Sequence, residues 1–144
     1  MESQITNVYR RAFKDSINQN IHSDTPDFDW IVNLYAEIKK RLMHLVKKES
    51  ETYNELNESF DVELFRQMLT NNVFNSDDMA KLVENTYSWI KRLHAPFRDK
   101  YLTESKKKVL ETDYKEIIGV FVIEVNNHID NIYLDMSTFY GTLR

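Results

Sequence analysis

Between Tyr114 and Met136 apolar side chains return on successive helical turns, at Tyr114, Ile117, Ile118, Phe121, Val122, Val125, Ile129, Ile132 and Met136. Val120 and Ile123 carry the apolar surface around much of the remaining circumference of the first half. A helix with one apolar stripe can lie on a surface, but one that is apolar around most of its circumference must be enclosed by other elements. The segment from about Asp113 to Phe139 is therefore expected to be the central helix of a bundle. The punctuation agrees, because two Gly and two Pro in 144 residues are too few for the tight turns of an all-β fold. The expected architecture is all-α, a single domain over residues 1–144 with five or six helices around that C-terminal helix.

The helices that should surround it can be placed by the same periodicity. Ile5, Val8, Tyr9, Ala12, Phe13 and Ile17 give an apolar stripe to a first helix over about residues 2–20. Thr25 as N-cap, Pro26 at the first helical position and acids at Asp27 and Asp29 predict a second start, followed by an apolar face from Phe28 to Val46. The polar segment from Lys47 to Glu58 reads equally as a helical extension or an exposed loop. Ser59 or Asp61 caps a short third helix that Asn71 and Asn72 end, since Asn tolerates the left-handed conformation found just past helices. Ser76, Asp77 and Asp78 start a fourth, facing inward through Met79, Leu82, Val83, Thr86, Ile90 and Leu93, and Pro96 stops it. A short charged helix opening at Leu102-Thr103-Glu104 precedes the last.

Composition removes several kinds of function. A chain without cysteine has no disulfide, no thiolate nucleophile and no cysteine-ligated zinc. No run approaches the roughly 18 apolar residues of a membrane span, and the start Met-Glu-Ser-Gln is not a signal peptide, so the cytoplasm is the expected compartment. The net charge is -4 and evenly spread, with 8 Lys+Arg against 10 Asp+Glu in residues 1–60 and 11 against 13 in residues 61–144. That balance offers no global attraction to nucleic acid, which is an unlikely partner. Gly-rich phosphate loops, nucleophile elbows and His-Glu-x-x-His are absent, so no catalytic residue is assigned and an enzyme is not expected. Glu124 and His128 stand at i and i+4, but a di-iron bundle needs Glu-x-x-His on two helices and further glutamates. No metal and no cofactor is expected, and His22, His44, His94 and His128 are read as surface or partly buried hydrogen-bonding residues. Abundant Asn, Lys, Ile and Tyr beside little Gly, Pro and Ala point to an AT-rich genome, as in some large DNA viruses and protists.

Three groups of residues are candidates for binding. In Ala95-Pro96-Phe97-Arg98-Asp99, Arg98 could offer its guanidinium to a partner's carboxylate or phosphate with Asp99 holding it in place. The structural reading, which is preferred, has Pro96 ending a helix, Phe97 plugging the core and Arg98 capping carbonyls or pairing with a buried acid, for which Asp135 is a candidate. Two basic clusters near helix C-termini, Lys39, Lys40 and Arg41 and then Lys91, Arg92, Arg98 and Lys100, could together hold an anion, although cations are favoured there by the helix dipole alone. Trp30 and Trp89 lie off the stripes of their helices and either widen the core or seed a partner-binding hot spot, and Phe13, Tyr35 and Phe97 are undecided between core and an exposed aromatic groove, which makes Phe97 a further partner-binding candidate.

The segment Phe60-Asp61-Val62-Glu63-Leu64-Phe65-Arg66-Gln67, followed after a similar spacer by His94-Ala95-Pro96-Phe97-Arg98-Asp99, resembles the T-complex protein 11 family. Its members carry an Asp-hydrophobic-Asp-Leu-Ile-Lys-Gln-like helix start and a Cys-Ala-Pro-x-Arg-Asp motif. Ala12-Phe13-x-Asp15, the Thr25–Phe28 break, Glu37-Ile38-Lys39, Asp135-Met136 and Phe139 extend the likeness over most of the chain from about Val8. His94 stands for the usual Cys, Phe97 for a smaller apolar residue, Asn71-Asn72-Val73 for a Gly-containing turn, and Thr138 for Asn. The chain resembles the N-terminal part of a domain that continues much further in longer members. The resemblance implies a partner-binding role of the kind associated with cAMP-dependent kinase signalling and, in animals, with sperm function. The expected function is thus a non-enzymatic protein interaction or signalling module. The alternatives are a helical groove that takes an amphipathic partner helix, or anion or nucleic-acid binding through the basic clusters.

Overall fold

The computed structural model describes residues 2–142, with side chains described for residues 6–139. The described residues form α1 (Glu2–Ile21), α2 (Phe28–Met43), α3 (Glu51–Ser59), α4 (Val62–Thr70), α5 (Ser76–Leu93), one 3-10 turn at Pro96–Arg98, α6 (Asp99–Leu110) and α7 (Ile117–Thr142), with no strand among them. The fold is all-α, as expected. The six helices placed by periodicity are all present, and the segment left open around Lys47–Glu58 supplies the short α3, behind a turn in which Glu49 takes a φ of 66°. Ile5 of the first stripe lies outside the described side chains, and the terminal Leu143 and Arg144 lie outside the described residues.

α5 begins at Ser76 as expected, while α6 opens at Asp99, three residues ahead of the expected Leu102, and α2 begins at Phe28, past Pro26; the caps of α2 and α5 are set locally. Asp27, not Thr25, caps α2 by accepting from the Trp30 N–H, and the Asn20 side chain at the end of α1 holds Asp27 in place through both its backbone N–H and its carbonyl. That bracket from α1 delays the helix past Pro26. Asn75, not Ser76, caps α5, because Asn75 and Asp78 exchange side-chain-to-backbone bonds in a capping box. Asp61 caps α4 and Asn72 ends it at a φ of 57°, both as expected.

The core gathers on α7, which lies against α1, α2, α5 and α6. Ile117, Ile118, Phe121, Val122, Val125, Ile129 and Ile132 are buried there, against Ile31, Val32, Tyr35 and Ile38 of α2 and Val83, Tyr87 and Ile90 of α5. The enclosure is confined to residues 117–132. Tyr114 precedes the helix and is exposed, its hydroxyl donating to the Phe74 carbonyl, and Leu134, Met136 and Phe139 are exposed on the last turns. The expected stripe was thus too long at both ends, since periodicity continues beyond the point where neighbouring helices stop.

The packing of α1 also departs from expectation. Ile17 is fully buried, but Val8 and Tyr9 are 67% and 71% exposed, and Ala12 and Phe13 are exposed too. The rotation of α1 is set by Gly119 on α7. Its N–H donates to Asn18 Oδ1 at 2.8 Å, and a Cβ built there would stand 2.6 Å from the Lys14 carbonyl oxygen. The backbones approach closely at that point, and the helix turns its polar Lys14–Asn18 side inward.

Candidate functional site

The corner between α5 and α6 carries the motif that the sequence singled out. His94 ends α5 with an extended ψ of 167°, Ala95 continues extended ahead of Pro96, and Pro96–Arg98 make one tight turn into α6. Arg98 leaves this turn toward α7 and meets Asp135 with two parallel bonds, Nε to Oδ2 at 2.6 Å and an Nη to Oδ1 at 2.8 Å. This pairing is one of the two roles that the structural reading of the sequence leaves open for Arg98, the other being a carbonyl cap. These bonds hold the Arg98 guanidinium above its ordinary pKa and the Asp135 carboxyl below the usual carboxylate range.

Two parts of the expected motif are corrected. Asp99 does not hold Arg98; its Oδ1 accepts from Nε2–H of the buried His94 ring at 2.6 Å. Phe97 does not plug the core, because its ring is 75% exposed with the Arg98 guanidinium 4.8 Å from its centroid. The physical reason is the short turn: with Arg98 drawn inward to Asp135, its neighbour is directed out. Next to Asp135 lies a shallow cleft of about 240 Å³ lined by Leu93, His94 and Ala95 on one side and Ile132, Asp135, Met136 and Phe139 of α7 on the other. The corner therefore combines an exposed aromatic, an apolar recess and a locked ion pair.

The other candidates are placed differently. Trp89 is 6% exposed with the Arg92 guanidinium 4.2 Å from its ring, so it belongs to the core and not to a free surface. Trp30 is half-buried against the core, edge-on to Phe13 at 6.1 Å. Both widen the core, since α5 is covered by α6 and α7 and α2 by α1, α3, α4 and α7, and each buries more than one stripe. Among the proposed anion residues, Lys39 donates to the Phe60 carbonyl, Arg41 meets Asp130 and Asn126, Arg92 meets Glu55 and Arg98 meets Asp135. Lys40, Lys91 and Lys100 remain exposed. The arginines of both clusters are spent on holding helices together.

A polar line that the sequence reading missed, buried at Tyr87 and Ser105 and open to solvent at Lys108, joins α5, α6 and α7. Ser105 donates to Glu124 at 2.9 Å, so the Tyr87 hydroxyl, 2.7 Å from Ser105, donates to Ser105, and Lys108 closes the line on Glu124 at 2.6 Å. Burial pushes the Tyr87 phenol well above its usual range, which keeps it a donor. His128 stands beside this line, its ring 5.6 Å from Tyr87 and 5.0 Å from Tyr101, and its Nε2 is buried without a hydrogen-bond partner. The Glu124–His128 spacing was the one visible signal. A second cleft of about 290 Å³ opens between α4 and α5, with Leu64, Phe65, Met68 and Leu82 on its walls.

No helix among the described residues is long and apolar enough to cross a membrane. No solved structure matches the chain. The family model described as T-complex protein 11 matches residues 1–140, and the chain belongs to that family.

Proposed function

We propose that this T-complex protein 11 family chain is a non-enzymatic interaction module that binds a protein partner at the α5–α6 corner. The observation that carries the reading is Phe97, a large aromatic held three-quarters exposed by a proline turn below and a clamped guanidinium beside it. Rigid aromatic anchors next to an apolar recess are the usual makings of a binding hot spot, because their ordering cost is met before the partner arrives. Arg98 and Asp99 then act as the frame and Phe97 as the anchor. The association with cAMP-dependent kinase signalling comes from the family alone and makes that pathway the first in which to seek the partner.

The test is a pull-down from the native cell with the tagged full chain, a Phe97→Ser variant and a Lys40→Ser variant as a surface control. Phe97 is exposed, so its replacement should change stability by no more than about 0.5 kcal/mol. A partner kept by the control and lost by Phe97→Ser is the expected result. Retention by Phe97→Ser moves the interface elsewhere, and turnover in an unbiased activity screen overturns the non-enzymatic reading. A second reading, capture of an amphipathic helix, is favoured by the α4–α5 cleft, where Leu64 is half exposed beside Phe65 and Met68. It predicts that Leu64→Ser and not Phe97→Ser abolishes binding.

A further inference from the structure

The close approach at Gly119 that rotates α1 has a second effect, on charge. It directs Arg10, Arg11 and Lys14 of α1 into a cleft of about 360 Å³, whose other walls include Tyr101 and Lys108 of α6 and Glu124 of α7. Glu124 is the one carboxylate among the lining residues, and Lys108 and Ser105 already occupy it. Arg41, Arg66, Arg92 and Arg98 each meet a carboxylate. Arg10, Arg11 and Lys14 form no ion pair or hydrogen bond through their side chains with any described residue, in a chain that carries 23 acids.

We propose that this cleft is an anion site that takes a ligand bearing two or more phosphate groups. Three uncompensated cations around one recess raise the local potential, whatever the net charge of the chain. Guanidinium forks match phosphate oxygens in pairs, and two neighbouring arginines can each engage a separate phosphate. Asn7, Asn127 and the Tyr101 hydroxyl add neutral polar groups to the lining. The volume is that of a small-molecule pocket, about 300–1,000 Å³, which suits a compact polyphosphate better than a nucleic-acid strand. The same chemistry is offered by a free polyphosphate and by a phosphoinositide headgroup, and the experiment separates them. The proposal does not depend on the corner reading, since no residue is shared.

The test is calorimetric titration of the full chain with inorganic tripolyphosphate at about 50 mM and about 200 mM salt, with a parallel sedimentation assay on vesicles with and without phosphatidylinositol 4,5-bisphosphate. The expected result is saturable binding that weakens at the higher salt. It should fall at least about tenfold in Arg10→Gln/Arg11→Gln and stay within about twofold in Lys40→Gln/Lys91→Gln. Gln is a good helix former, so the fold should persist, which circular dichroism checks, and Lys14→Gln is a second variant with the same expected direction. Binding to phosphoinositide vesicles and not to tripolyphosphate, lost in the same variants, supports the site with a lipid source. Absence of binding to both probes at about 1 mM phosphate, equal loss in both double variants, or equal sedimentation with plain vesicles overturns it.

Discussion

Gly119 sits inside α7, where glycine costs about 1 kcal/mol relative to alanine in helix propensity. Its replacement by alanine should nevertheless destabilise, because the added Cβ would stand 2.6 Å from a backbone carbonyl oxygen, that of Lys14, which cannot swing away as a side chain can. Overpacking of this kind costs about 1–3 kcal/mol, which at its upper end outweighs the propensity gain, so urea unfolding of Gly119→Ala should show a net loss of up to about 2 kcal/mol. An equal or higher midpoint would mean that α1 is not seated by this approach. Arg98 and Asp135 make a second residue-scale test. A double-mutant cycle with Arg98→Ala and Asp135→Ala should give a coupling of about 1–2 kcal/mol, since the pair is bidentate and mostly shielded from water. Coupling within about 0.3 kcal/mol of zero would reduce the pair to a surface contact.

At the scale of elements, α1 shows what periodicity can and cannot tell. Its apolar residues recur as a helix requires, and the helix is there, but the face that docks is chosen by Gly119 and Asn18, a pair separated by a hundred residues of sequence. Val8→Ser with Tyr9→Ser should therefore change stability by less than about 0.5 kcal/mol each, while Ile17→Ala, fully buried on the same helix, should cost about 2–5 kcal/mol. Thermal melts of the two variants side by side decide it, and similar losses would return the outward stripe to the core. The same limit explains the caps and the cations. Thr25, Asp27, Asn75 and Ser76 are all competent N-caps, and only the bracket from Asn20 and the reply from Asp78 select among them. Lys39, Arg41, Arg92 and Arg98 read as a basic patch because their partners, from Glu55 to Asp135, lie on other parts of the chain. Helix content, the corner and its likeness to the family were legible because each is a local pattern. The outward Phe97 and the unpaired Arg10, Arg11 and Lys14 were not, because each depends on what a distant element leaves uncovered.

For the molecule as a whole, the meeting of α5, α6 and α7 at His128 makes stability depend on pH. The ring is 3% exposed, and burial pushes its pKa from the usual 6.5 to about 4; the nearby Glu124 opposes that shift, while His94 and Arg98 reinforce it. The unfolded chain therefore binds a proton at a pH where the folded chain does not. Stability is fully present above about pH 6.5, declines as the pH falls below it, and levels near pH 4, for a total of about 3 kcal/mol. Asp135 adds only at the acid end of this window, because its depressed carboxyl withdraws support as the pH falls through and below the ordinary carboxylate range. His128→Leu removes the titrating ring together with its unpartnered Nε2, so near pH 7.5 it should lie within about 1 kcal/mol of the natural chain. Near pH 4.5 it should be the more stable of the two, and the urea midpoint, falling steeply with acid in the natural chain, should fall only shallowly in the variant. Parallel declines in both proteins would assign the acid sensitivity to carboxylates instead, leaving His128 a packing residue between Tyr87 and Tyr101.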